Sequence, residues 1–263
     1  MYISAITAGE GLLIKPQYLT AVSDRPTSQN NQEPDYGAIL QAVRSCGEYS
    51  CPALRMLFVA DDKIPLEIRN LPYFEKNMEL VKSGNAITLG VSFRNGHFFP
   101  SSGNAGDRYC VIILPRNKLD SVTDRSWKDI LTHEVGHTRQ YFAGKKDGYE
   151  KTFRGIGDKL GGPSGQSLDK IPLYLLEYEN YLNDLKRCLD EDNVGSVSYF
   201  CEKANIQAGF LTSSLKILKS SGHYEQAKAL SKILDEILPK EEFDSLNISL
   251  RLCNSTDALA EIK

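Results

Sequence analysis

Two periods of hydrophobic spacing succeed one another along the chain, one of about two residues and one of about 3.6. Before residue 120 the apolar residues come in short β-branched runs broken by turn-forming residues. The segment Tyr36–Cys46 reads as a short helix and 54–60 (LRMLFVA) as a buried strand, with a second helical stretch over 72–82. Residues 86–94 and 97–100 flank Asn95-Gly96, a pair that tolerates positive φ and favours a tight hairpin turn. A Gly/Ser/Asn loop at 101–107 leads into Arg108–Leu114 (RYCVIIL), a further strand stopped by Pro115.

After residue 120 the helical period takes over. Ser126, with Asp129 three residues later, predicts a capped helix over 127–143 that ends at Gly144. Residues 144–167, rich in Gly and Lys, read as a loop. From 168 to 263 the pattern predicts three or four helices broken near Asn193-Val-Gly195, Ser221-Gly222 and Pro239. The polar stretch 24–35 reads as a connector. The expected fold class is α+β: a small mixed sheet with a chemistry-bearing helix, followed by an all-helical lobe. The expected division is 1–145, carrying an edge strand and that helix, and 146–263.

Composition narrows the function classes. With 41% hydrophobic and 25% charged residues the chain has the make-up of a soluble globular protein. A net charge of −3 provides no basic field, so nucleic acid and membrane surfaces are not expected partners. No apolar run reaches the length of a membrane span. Lys15 follows the first apolar residues instead of preceding them, so a cleavable leader is not expected. The expected location is the cytoplasm, or outside it by a leaderless export route. The six cysteines form no CxxC pair. Cys46 and Cys51 are close enough in sequence to bridge, but free buried thiols in a reducing compartment are the simpler expectation. Asn247 and Asn254 open glycosylation acceptor triplets, relevant only on a secretory route.

The strongest chemical signal is His133-Glu134-Val-Gly-His137. Histidines four apart on a helix lie one turn apart on the same face, where two neutral imidazoles suit a zinc ion. Glu134 follows the first histidine directly, and a carboxylate there can take a proton from water and return it to a leaving amine. Trp127, Leu131, Val135, Thr138 and Phe142 form the opposite, packing stripe. Two histidines and a water leave one protein ligand to be found.

The HEVGH helix, with the later segment Glu177-Tyr-Glu-Asn180-Tyr181, resembles the zincin metallopeptidases of gluzincin type. The metzincin variant would need a histidine ten residues after His133, where Ala143 stands. The gluzincin resemblance implies that a glutamate from a later helix completes the site. Helix 172–189 offers Glu177, the preferred third ligand, and Glu179; Asp147 and Asp158 are further alternatives. In that family the later helix often reads Glu-x-x-Ala/Ser-Asp; Asn180 and Tyr181 stand in the last two places, so Asp184 or Tyr181 is left to orient a ligand histidine. The resemblance also implies a zincin-like sheet before the metal helix whose edge strand, best matched by Arg108–Leu114, pairs with an extended substrate. It covers about residues 86–190. Tyr149, Tyr174, Tyr181 and His223 are candidates for stabilising the oxyanion.

The expected function is that of a zinc metallopeptidase holding one Zn2+ per chain. Glu134 is its general base, its partner is a protein or peptide substrate, and it acts as a monomer. Its size and motif would suit a bacterial effector protease delivered into host cells, for which Glu241-Glu242 is a compatible but short export feature. Two other readings stand beside it. One is a zinc hydrolase acting on a non-peptide amide or ester. The other is a non-catalytic helical interaction module, suggested by the helical hairpin at 215–238, whose GHYEQAKAL resembles the middle of a tetratricopeptide repeat.

Overall fold

The computed structural model describes residues 5–6, 33–70, 74–94, 97–99, 105–191 and 193–242. The fold is α+β, and the chain divides into two compact units, Met1–Asp147 and Gly148–Lys263.

The first unit contains β1 (Ala5–Ile6), α1 (Tyr36–Cys46), β2 (Glu48–Cys51), β3 (Met56–Ala60), α2 (Leu66–Arg69) and α3 (Phe74–Lys82). It continues through β4 (Ile87–Arg94), β5 (His97–Phe99), β6 (Arg108–Leu114), α4 (Arg116–Leu119) and α5 (Asp124–Phe142) to the first turn of α6 (Lys145–Phe153). The sheet order is β1-β4-β6-β3-β2, with β5 also paired to β4. It is mixed: β3 runs parallel to β6, and β4 antiparallel to it.

The period of two sorts the strands onto two cores. Leu57, Val59, Val111, Ile113, Ile87 and Leu89 face Ile68, Phe74 and Val81 of α2 and α3. Their neighbours Met56, Phe58, Ala60, Ile112 and Leu114 face α1 and α5, meeting Ile39, Val43, Trp127, Leu131 and Val135. Both faces of the sheet are therefore covered by helices.

That arrangement corrects the expectation that Arg108–Leu114 is an edge strand. β6 lies between β3 and β4, and all seven of its residues are buried. An unbroken β-branched run is the mark of a strand covered on both faces, and such strands sit inside a sheet. Leu54 also leaves the expected strand. It ends a short 3-10 turn (Pro52–Leu54), from which Arg55 at φ 53° leads into β3, pairing it with the unforeseen β2.

α5 begins earlier than the Ser126 cap implies. Thr123 is the cap, its hydroxyl accepting from the Ser126 amide at 3.3 Å, and Asp124 adds an acidic group at the positive end of the helix dipole. At the other end the Arg108 guanidinium donates to the Tyr141 carbonyl and pairs with Asp147.

The second unit is helical: the rest of α6, then α7 (Ile156–Leu160), α8 (Gly162–Asp169), α9 (Ile171–Asp190), α10 (Val194–Ser220) and α11 (Tyr224–Ile237). The loop expected over 144–167 is instead three short helices. Its glycines are helix breaks and a close crossing: a Cβ on Gly157 would stand 2.4 Å from the Gly165 carbonyl oxygen. The break at Ser221-Gly222 is as expected. Gly222 at φ 78° lets the His223 amide reach back to the Leu218 carbonyl at 2.9 Å. Leu175, Leu211, Leu218 and Leu230 anchor one core of this unit; Leu182, Leu185, Phe200 and Ala204 anchor another.

No described helix is long and apolar enough to cross a membrane. Cys46, Cys51, Cys110, Cys188 and Cys201 are not in disulfide bonds. The Asn95-Gly96 turn, residues 24–32 of the polar connector, Cys253 and the acceptors Asn247 and Asn254 lie outside the described residues.

Candidate metal centre

α5 buries both of its faces. Trp127, Leu131 and Val135 pack on the sheet, while His133, Glu134 and His137, on the rest of the circumference, are buried as well. Three buried ionisable side chains within five residues are costly unless they are paired or bound to an ion.

One turn of helix separates the two imidazoles, which meet edge to face at an interplanar angle of 89°. Their Nε2 atoms are 3.1 Å apart. Two nitrogens each about 2.0–2.1 Å from a tetrahedral zinc ion stand roughly 3.3 Å apart, so this spacing fits a shared cation. On the far side of the His137 ring, Nδ1 lies 3.0 Å from Gln140 Oε1.

Among the described residues, one group of metal-capable side chains forms: His133, His137 and Glu177, all buried, with one ligand atom from each within 4.8 Å of the others. Two imidazoles and a carboxylate are a ligand set that zinc uses in catalytic sites. The donors present therefore fit such an ion.

Glu134 is held from the sheet. Ile87, Leu89 and Val91 of β4 point into the α2/α3 core, which turns Thr88 and Gly90 toward α5. The Thr88 hydroxyl donates to Glu134 Oε2 at 2.7 Å and lies 3.1 Å from the Glu134 carbonyl oxygen. At Gly90 a side chain would collide with the Tyr141 ring, whose nearest atom is 2.6 Å from the position of a Cβ. With only hydrogen there, Tyr141 packs against β4 and donates its hydroxyl to the Val91 carbonyl at 3.2 Å. On β6, burial pushes the Cys110 thiol up to about 12, partly offset by a hydrogen bond with Thr138. That thiol is no nucleophile at neutral pH.

Among the described residues, Glu179, Asp147 and Asp158 are not part of that group. Glu179 is half-buried, and its charge adds to the burial that raises the Tyr149 phenol. Asp147 is the partner of Arg108, and Asp158 is exposed. Asp184 is buried on α9 with Arg187 3.8 Å away. Of the oxyanion candidates, Tyr149 and Tyr174 pack on the Leu175 core, Tyr174 stacking on Phe210 at 4.8 Å. Tyr181 belongs to the Leu182 core, and His223 caps α11.

Sequence reading missed Gln140 and Thr88. Gln140 sits three residues after His137, on the same helical face, and could have been found by that spacing. Thr88 could not, because its contact with Glu134 depends on which face of β4 packs against α5.

Comparison of the chain with protein-family models, with curated proteins and with solved structures finds no match in any of the three. The functional reading rests on the site itself.

Proposed function

We propose that this protein is a zinc-dependent metallopeptidase in which His133, His137 and Glu177 hold one ion and Glu134 is the general base. The observation that carries the reading is the buried His133–His137–Glu177 group, with Glu134 one residue along the same helix. A purely structural metal site closes its shell with protein ligands, whereas three ligands and an adjacent carboxylate leave a position for substrate or water.

A bound zinc ion supplies Lewis-acid polarisation of the scissile carbonyl and lowers the pKa of water. The remaining work falls to this chain. Thr88 fixes Glu134 Oε2, leaving Oε1 as the atom that accepts a proton from the attacking water. Oxygen bonds to the carbonyl carbon, the C–N bond breaks, and the same carboxylate delivers its proton to the departing nitrogen. Burial of Glu134 keeps that exchange in a medium where charge interactions are strong.

A peptide substrate is supported by β4. Leu89, Gly90 and Val91 have β6 on one side and, among the described residues, no strand on the other. A backbone edge of that kind recognises an extended chain by main-chain hydrogen bonds.

Elemental analysis of protein purified without chelator tests the ligand set. About one zinc per chain is expected in the wild type and in Glu179→Ala, and a small fraction of that in Glu177→Ala. A wild type that takes up no zinc after reconstitution overturns the proposal. A Glu179→Ala variant that loses zinc while Glu177→Ala keeps it would move the third ligand.

A further inference from the structure

We infer that Gln140 is a positioning residue of the metal centre, holding His137 as the Nδ1–H tautomer with a bare Nε2 and thereby setting the affinity for the ion. The inference rests on the metal-binding reading above and adds a residue to it.

Gln140 is buried on α5, one turn beyond His137 and on the same face. Its Oε1 stands 3.0 Å from His137 Nδ1. An amide oxygen only accepts hydrogen bonds, so the ring nitrogen facing it must carry the proton. A neutral imidazole has one N–H, which leaves Nε2 with its lone pair directed at the Nε2 of His133, 3.1 Å away. The opposite amide orientation would place an NH2 against Nδ1 and force the proton onto Nε2. A ring in that form cannot bind an ion through the nitrogen that faces His133. Left to itself, a histidine side chain favours Nε2–H, so the ligand-competent tautomer has to be selected. Gln140 is placed to select it.

The choice of an amide also follows from charge. A carboxylate more often fills this role behind a ligand histidine and makes the ring more basic. Here Glu134 and Glu177 already balance a divalent cation. A third buried carboxylate would leave the site net negative, and strongly so without metal. An amide orients the ring without adding charge.

Two readouts test this: zinc affinity by competition with a chromogenic chelator, and the His137 tautomer by long-range 1H–15N correlation on the metal-free protein. The wild type is expected to show Nδ1–H at His137. Gln140→Leu keeps the bulk but has no acceptor; it should shift His137 toward Nε2–H and weaken zinc binding about 10–100-fold. Gln140→Glu restores an acceptor and should keep the Nδ1–H form, with affinity equal to or above that of the wild type. Gln140→Leu with unchanged tautomer and affinity would overturn the inference while leaving the metallopeptidase proposal intact. Weaker binding without a tautomer shift would also overturn it, because the effect would then be packing alone. Should Gln140→Leu fail to fold, the wild-type spectrum decides, and Nε2–H at His137 refutes the role. A wild type that binds no zinc overturns both the inference and the proposal.

Discussion

α5 and α9 supply the metal-capable side chains; α5 packs on a sheet, and α9 lies in the helical unit. α5 is tied to a sheet by directional contacts: Thr88 to Glu134, Tyr141 to Val91, and Arg108 to the Tyr141 carbonyl. α9 also contributes to two apolar cores, with Leu175, Leu182 and Leu185 set among residues of α10 such as Leu211, Phe200 and Ala204. Hydrogen bonds fix a side chain's angle, whereas apolar packing fixes its position with little preference for orientation. The helix that carries the proposed base and two ligands has the contacts that set angles.

Breaking the chemistry of α5 without disturbing its packing should give the largest effect. Glu134→Ala is expected to retain its zinc and lose peptide turnover by at least about a thousandfold, measured on a quenched fluorogenic peptide library. Normal turnover would remove Glu134 from the mechanism. Breaking the packing instead, Trp127→Ala should cost about 3–5 kcal/mol in urea unfolding, because the indole is fully buried between α5 and the sheet.

Smaller effects sharpen the contrast. Gly157→Ala in the helical unit should cost about 1–3 kcal/mol, read by circular dichroism, since the new methyl meets the Gly165 backbone. Turnover in Thr88→Val should fall about tenfold at unchanged zinc content, and Thr88→Ser should recover most of it; equal loss in both would mean the hydroxyl is not what matters. The smallest effect concerns alkaline pH. The Cys110 thiol is raised to about 12 in the folded chain, against about 8.5 unfolded, so above pH 8.5 the unfolded state releases its proton first. Stability from this group is complete below that pH and is lost as pH rises toward 12. Cys110→Ala should remove the early part of the loss, before the tyrosines ionise; an identical stability–pH curve would show that the thiol makes no contribution.

Much of this was legible in the sequence because it depends on local chemistry. A histidine pair at i and i+4 lies on one face of any helix, so the HEVGH segment declared its geometry before any tertiary contact was known. The helix boundaries at Tyr36–Cys46 and at Gly222 were readable from the apolar period and a glycine stop. The run RYCVIIL was legible as a strand, and its unbroken burial pattern was also the sign of an interior position, against the edge role that the family resemblance implied. Over 144–167 the glycine content points to a loop, whereas three short helices use those residues for breaks and for the Gly157–Gly165 approach.

By itself, then, the sequence determined the α+β class, the metal-capable helix and the two carboxylates worth weighing on α9, since each follows from a period or spacing of a few residues. Only the tertiary structure decided that Glu177 joins the histidine pair, that β6 is interior, and that Thr88 reaches Glu134. Those contacts join residues 40 or more positions apart or depend on strand order, and local spacing carries no information about either.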